Sequence, residues 1–436
     1  MKGNHSPFVL FAALCTALMF VVPTQARAAA GDLDPAFGRG GVAQTDFAGT
    51  DEYGFAVKVQ RDGKIVVGGQ SGVYPVFHAG LARYNANGKL DRSFGTGGKA
   101  TAALDAGGDG IQGIALQSDG KIVTAGAVIH NNFTLAFITG RFNADGTLDT
   151  SFGTNGSVQT TFGDQAAEGN DVVLQSDGRI IVVGSSGAGS YSDLNDFALV
   201  RYNSDGSLDQ SFGSGGKVTT HFRGSFNTGS IAWAVALQRD SKIVVGGTYV
   251  NEATPYAFAL ARYNTNGSLD ASFGNAGVVT TRIGGGDALA LGLVVQRDGR
   301  IVLAGYSDGE DHDFTLACYN SNGMLDTTFG TGGITTTNFS TNSDDIAYAL
   351  AVQRDGTLLA GGRVGEYPVF DFGVARYTSS GQLDQSFGVG GKVTTDLGND
   401  ELGYGIAVQR DGKILLSGAA FNGSTFDFGV MRYLGQ

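Results

Sequence analysis

The chain has 436 residues, 71 of them Gly and only 6 Pro, with 42% hydrophobic and 16% charged residues and a formal charge of −12. A collagen needs Gly at every third position, a disulfide scaffold needs more than two Cys, and a disordered chain carries less apolar weight or more charge, so all three are excluded. A net negative chain also lacks the basic patch that nucleic acid or an anionic membrane requires.

At the N-terminus Lys2 precedes an apolar run, Phe8–Val22, and then Ala26-Arg27-Ala28 and Ala28-Ala29-Ala30. This order of charge, apolar run and A-x-A site reads as a cleavable secretory signal over residues 1–30, cut after Ala28 or Ala30. The run is too short for a membrane span, and no later stretch reaches about 18 apolar residues. Cleavage removes Lys2, Arg27 and Cys15, which takes the charge from −12 to −14 and leaves Cys318 as the one mature Cys. The mature chain, residues 31–436, is expected to be secreted or periplasmic and monomeric.

The next element is a short strand within Gly41–Phe47, directly after the first copy of the string Leu-Asp-x-x-Phe-Gly. That string starts seven times, at Leu33, Leu90, Leu148, Leu208, Leu269, Leu325 and Leu383, 56 to 61 residues apart. Two further strings recur in step with it. One begins at Gln60, Gln117, Gln175, Gln238, Gln296, Gln353 and Gln409, and the other ends in Arg-Tyr or a relative of it. A fixed period of this length marks a repeat architecture.

Each unit reads as four strands. Around Gln409 the first is YGIAVQ, a turn at Asp411-Gly412 follows, KILLSG is the second strand and DFGVMRY the third. The Phe-Gly turn and a strand like GKVTT at Gly216 complete the unit. Asp-Gly supplies the positive φ of a tight hairpin. Before each Gln, the residues at positions −6 and −4 are mostly small and position −5 is large, as in Ala232-Trp233-Ala234 and Gly403-Tyr404-Gly405. This is period-two alternation on a strand with little room on one face, as expected nearest an axis. The fold class is therefore all-β, a seven-bladed β-propeller of four-stranded blades. The chain ends after a third strand at Tyr433. The strand at Gly41–Phe47 is expected to supply the fourth strand of the last blade and close the ring.

These strings, LDxxFG, QxDGKI and ARYNxxG, resemble the delta-60 repeat family over Leu33–Tyr433. The resemblance implies a β-propeller of a bacterial exported or surface protein, and it carries no settled activity and no catalytic residues. Three positions depart from the pattern: Ser241 for the turn Gly, Thr357 for the Lys and Cys318 for the Arg. The motif Asp residues are expected to accept turn N–H groups, the motif Phe residues to plug the core, and the Arg to meet a turn carboxylate.

Function is expected on the top face, where the variable second-to-third and fourth-to-first loops emerge. Acids recur there eight or nine residues before the Gln: Asp51 with Glu52, Asp109, Asp287, Asp344 with Asp345, and Asp400 with Glu401, with Glu168 one place later and Ser230 as the exception. They either cap their own loops or form a ring of carboxylates that recruits a hard cation such as Ca²⁺. The candidate ligand-binding residues are His78, His130, His221 and His312, with Trp233, Tyr348 and Tyr404 as stacking surfaces. No nucleophile elbow, phosphate loop or Cys-His zinc spacing occurs, so no catalytic residue is assigned. The expected function is an exported, non-catalytic module that binds a protein, peptide or glycan through an acidic face. The alternatives are a lyase or hydrolase with a metal-assisted top-face site and a structural surface protein.

Overall fold

The computed structural model describes residues 28–73, 76–105, 108–129, 135–163, 165–187, 195–222, 228–251, 254–309 and 311–436. The apolar N-terminal segment and His130 lie outside them. Twenty-eight strands form seven four-stranded antiparallel sheets, and no helix occurs among the described residues. Blade 1 comprises Asp51–Val59, Ile65–Val73, Val76–Tyr84 and Lys99–Ala102. Blades 2 to 6 follow the same order and have first strands Asp109–Leu116, Ala166–Leu174, Thr228–Leu237, Ala288–Val295 and Ile346–Val352. Blade 7 has the order Glu401–Val408, Ile414–Phe421, Phe426–Tyr433 and then Val42–Thr45. In that last pair Val42 faces Met431 and Thr45 faces Phe428. First strands of neighbouring blades touch all round the axis, blade 7 against blade 1 included.

The tight turns follow from local chemistry. Gly63, at φ 86°, donates its N–H to Gln60 O at 3.0 Å, and Asp62 Oδ1 accepts the Lys64 N–H at 3.1 Å. Ser241 makes the same bond to Gln238 O at 2.9 Å with φ 63°, a left-handed conformation that costs a non-Gly residue about 1 kcal/mol.

The first strand departs from simple alternation. In every blade it carries a β-bulge, with residues −6 and −5 facing one residue of the second strand. The large residue at −5 is thus the extra residue of a bulge, which twists the strand locally. The facing residue is Gly in all seven blades: Gly69, Gly126, Gly184, Gly247, Gly305, Gly362 and Gly418. A Cβ on any of them would stand 1.7–2.0 Å from the carbonyl oxygen at position −7. These glycines are required by close backbone approach, since their φ values are not positive.

The outer part of each blade is tied to the next by a repeated latch. In blade 1 Arg83 Nε meets Asp91 Oδ2 at 2.8 Å, and Lys64 Nζ meets the same oxygen at 2.9 Å. The Arg83 guanidinium lies 4.6 Å from the Phe94 ring centroid and donates to Ala144 O in the next blade. Asp91 Oδ1 accepts the Ser93 N–H and hydroxyl at 3.2 and 2.7 Å. Burial opposes ionisation of Asp91, but Lys64, Ser93 and Arg83 outweigh it and hold the carboxyl below its ordinary range. The latch recurs through Arg141, Arg201, Arg262, Arg376 and Arg432, the last on Asp34 at 2.8 Å. Breaking one such buried pair costs on the order of 3–5 kcal/mol, because the other charge is stranded.

Departures from the repeat are compensated or left open. At Cys318 the latch Arg is missing, and Arg300 reaches both Asp326 Oδ2 at 3.3 Å and Ser379 O of the next blade at 3.0 Å. Burial pushes the Cys318 thiol up to about 12, so it is an inert core group. Where Thr357 replaces the Lys, Asp384 is 25% exposed, against 5–11% for the other motif carboxylates. Six motif Tyr hydroxyls bond a Thr of the preceding fourth strand, as Tyr84 does Thr45 at 2.8 Å. In blade 2 the Tyr is Phe142 and the corresponding Thr is Ala102, so neither hydroxyl is left unpaired in the core they share.

Gly418→Ala is expected to cost about 3 kcal/mol in urea unfolding, because backbone must move to admit the methyl. Gly285→Ala, at a site with nothing within 4 Å of the added atom, should stay within about 0.5 kcal/mol of wild type. A chain lacking residues 1–45 should melt lower and associate through the bared edge of Phe426–Tyr433. An unchanged melting temperature would show that this strand does not hold the ring.

Candidate functional site

The acids at the first-strand starts are distributed one per seam between blades. Asp51 Oδ1 accepts the Phe426 N–H at 3.1 Å, Asp287 Oδ1 the Tyr256 N–H at 2.7 Å, and Asp400 Oδ1 the Phe370 N–H at 3.0 Å. Each bond reaches the third strand of the preceding blade. Asp109 does the same through Ala79 N–H at 2.8 Å and also takes the N–H groups of Leu104 and Asp105, with His78 Nδ1 at 3.4 Å. Burial raises its pKa, and those N–H groups oppose the shift. Ser230, the exception in sequence, makes the equivalent clip by accepting the Phe197 N–H at 3.1 Å. Glu168 is pushed up to about 7 by burial alone.

Asp344 is arranged differently. One carboxylate oxygen contacts His312 Nδ1 and the other accepts from Arg363 at 3.1 Å. His312 Nε2 lies 3.0 Å from Asp308 Oδ1, and its ring packs 4.4 Å from Tyr306. Arg363 also covers the Phe370 ring at 4.1 Å. Asp308, His312 and Asp344 border a cavity of about 580 Å³ at the seam of blades 5 and 6, walled further by Asp311, Asn342, Glu366 and the 82%-exposed Tyr367. Tyr348 and Tyr404 touch at 5.1 Å, and Tyr404 meets Phe55 at 4.9 Å, a continuous aromatic strip on three inner strands. A larger groove of about 1040 Å³ runs along the outer strands of blades 1 to 3. Its carboxylates are already engaged, Asp205 by Ser207 and Asp105 by Gln159.

Thus the structure joins His312 with Asp344, His78 with Asp109, and Tyr348 with Tyr404. It keeps His221 apart, beside Asp196 at 2.9 Å, and leaves Trp233 half-buried on blade 4. None of the six strand-start acids Asp51, Asp109, Glu168, Asp287, Asp344 and Asp400 belongs to a three-carboxylate cluster among the described residues. Two such clusters do exist: Asp46, Glu52 and Asp427, and Asp371, Asp396 and Glu401. Asp46, Asp371, Asp396 and Asp427 escaped the sequence reading. For Asp371 and Asp427 the signal was the Asp-Phe pair near the start of the third strand, also seen at Asp196 and Asp313; for Asp46 and Asp396 it was an acid directly after the fourth-strand Thr.

Six segments, 60–94, 117–152, 175–212, 238–273, 296–329 and 353–387, match a family described as "Domain of unknown function (DUF5122) beta-propeller". The chain belongs to a β-propeller repeat family. No curated protein matches its sequence. Among solved structures, polysaccharide lyase Uly1 aligns at a TM-score of 0.51 with 13% identity over 92% of this propeller and 93% of the lyase. A puromycin hydrolase aligns at 0.49 with 14% identity over 92% of this propeller, which spans only 54% of the hydrolase chain. Sqt1 from Chaetomium thermophilum, bound to the N-terminus of ribosomal protein L10, aligns at 0.44 with 13% identity, covering 90% of this chain and 98% of Sqt1. At these identities the likeness concerns the fold alone.

The propeller carries acids shifted in opposite directions. Burial first, then neighbouring Asp46 for Glu52 and Asp371 with Asp396 for Glu401, push both up to about 7 from an ordinary 4.5. Such groups bind more protons folded than unfolded, so their contribution is full below about 4.5 and is lost as pH rises through 7. The latch Asp residues are lowered, so theirs is present above the ordinary 3.8 and lost below it. In metal-free buffer the melting temperature should therefore peak in mildly acidic solution and fall on both sides. Glu168→Gln should flatten the alkaline side, as followed by scanning fluorimetry.

Proposed function

We propose that the propeller is an exported binding module that engages a protein, peptide or glycan through its acidic top face. The observation that carries this reading is the cavity between blades 5 and 6. Asp311 and Glu366 supply acceptors for cationic or hydroxyl groups, Asp344 holds His312 and Arg363 beside them, and the exposed Tyr367 ring offers a flat apolar surface. Variable loops on a rigid ring suit recognition, since the scaffold bears the ordering cost before the ligand arrives. For export the support is the N-terminal pattern, Lys2 followed by Phe8–Val22 and A-x-A. Cleavage after Ala28 would keep Ala30, whose carbonyl accepts the Gly388 N–H at 2.9 Å as the equivalent turn does in every other blade.

A second reading, a lyase or hydrolase, is favoured by one arrangement. His312 contacts a carboxylate and lies beside Arg363 and Tyr306, the residue types of acid–base chemistry on a sugar or peptide.

One experiment separates the two. The mature chain is screened on glycan and peptide arrays, and every ligand retained is assayed for cleavage. Binding without turnover, weakened about tenfold (about 1.4 kcal/mol) by Asp344→Asn, supports the module. Turnover abolished by His312→Ala with binding retained supports the enzyme instead.

A further inference from the structure

Three positions converge at each top-face seam. They are the residue before the third-strand Phe, the residue after the fourth strand of the same blade, and the residue eight before the Gln of the next blade. At the seam of blades 7 and 1 these are Asp427, Asp46 and Glu52; at the seam of blades 6 and 7 they are Asp371, Asp396 and Glu401. In each set one carboxylate oxygen from every member lies within 4.8 Å of the others.

Folding does not require acids there. The same three positions are Ala257, Arg282 and Ala288 at the seam of blades 4 and 5, and Ala136, Thr161 and Ala167 at that of blades 2 and 3. Ala257, Ala288 and Ala136 are buried there as ordinary core residues. Three acids in one seam therefore add repulsion and desolvation that the fold can avoid.

Nothing among the described residues neutralises them. None of the six carboxylates takes part in an ion pair. Lys99, the near cation at the first seam, gives its ammonium to the carbonyl oxygens of Asp46 and Phe47 at 2.8 and 3.3 Å. Glu52 is 0% exposed, and its Oε1 takes the Thr50 hydroxyl at 2.6 Å and the Ser71 hydroxyl at 3.3 Å. The Phe47 N–H bears on the carboxylate, but Oε2 is buried and makes no hydrogen bond of good geometry. A buried carboxylate oxygen so weakly bonded, facing two more carboxylates, is offset by a bound cation.

The donor set suits Ca²⁺, a hard ion that accepts several carboxylate oxygens in flexible geometry, whereas Mg²⁺ demands a near-ideal octahedron and keeps most of its waters. We propose that Ca²⁺ is bound at the inter-blade site held by Asp46, Glu52 and Asp427. The ion ties the third and fourth strands of blade 7 to the first strand of blade 1, and so joins residues from the two ends of the chain. At Asp371, Asp396 and Glu401 both Glu401 oxygens already accept backbone N–H groups, from Asn399 at 3.3 Å and Leu397 at 3.2 Å, and no ion is assigned there. At the seam of blades 5 and 6 the set is Asp313, Asn338 and Asp345, one charge short, and no ion is assigned to it.

The test is calorimetric titration of CaCl₂ into the EDTA-stripped mature chain, with melting temperatures in parallel. The expected stoichiometry is one, with a melting temperature a few degrees higher in millimolar Ca²⁺ than in EDTA. Glu52→Gln combined with Asp427→Asn should abolish the binding heat, and Asp313→Asn should leave the stoichiometry at one. In EDTA the double variant should melt no lower than wild type, because it loses repulsion and no ion, whereas a purely structural role would lower it. Absence of heat and of a melting shift, or a stoichiometry that the double variant does not change, would overturn the proposal. No ligand for the cavity of blades 5 and 6 enters this experiment, so its outcome is independent of that reading.

Discussion

The carbonyl at position −7 presses on a bare glycine in the second strand, and every blade is built around that contact. Because Gly69, Gly418 and their five equivalents present no side chain, the inner strand can bulge toward its neighbour. The bulge puts one extra residue on the inner rim, where Phe55, Tyr404 and Tyr348 meet across three blades. The residues just before it, at −8 and −9, then reach the preceding blade, where Asp51, Asp287 and Asp400 clip the third strand. One steric constraint thus sets the packing at the axis and the seams of the top face.

At the outer rim the ring is held by charge. The Arg-Asp-Lys latch covers a buried Phe and ends on a carbonyl of the next blade, so each blade contributes half of its neighbour's support. The way the repeats diverge follows from the cost of an unpaired buried group. Arg300 serves where Cys318 has displaced the latch Arg, and Phe142 and Ala102 have lost their hydroxyls together. Where nothing compensates, at Thr357, the affected Asp384 opens to solvent.

The two faces therefore differ in kind. The face of fixed turns is saturated with internal bonds, while the top face varies from seam to seam. One seam is filled by alanines and an arginine, another carries the His312–Asp344–Arg363 chain, and two gather three carboxylates each. Two of these seams gather carboxylates that no cation pairs with among the described residues.

The amino-acid sequence determined the blade count, the strand order and the roles of the repeated Asp, Phe and Arg. Each of these is local or periodic, and seven copies make the period plain. Asp34, Asp91 and Asp149 were readable because a turn Asp bonds residues two places away. The bulge was not readable, since small-large-small looks the same on a straight strand as on one with an inserted residue. Nor was the grouping of Asp46, Glu52 and Asp427, whose members come from both ends of the chain. Only the curvature of the ring brings Phe426 within 3.1 Å of Asp51, 375 residues away, and that same approach decides which carboxylates share a seam.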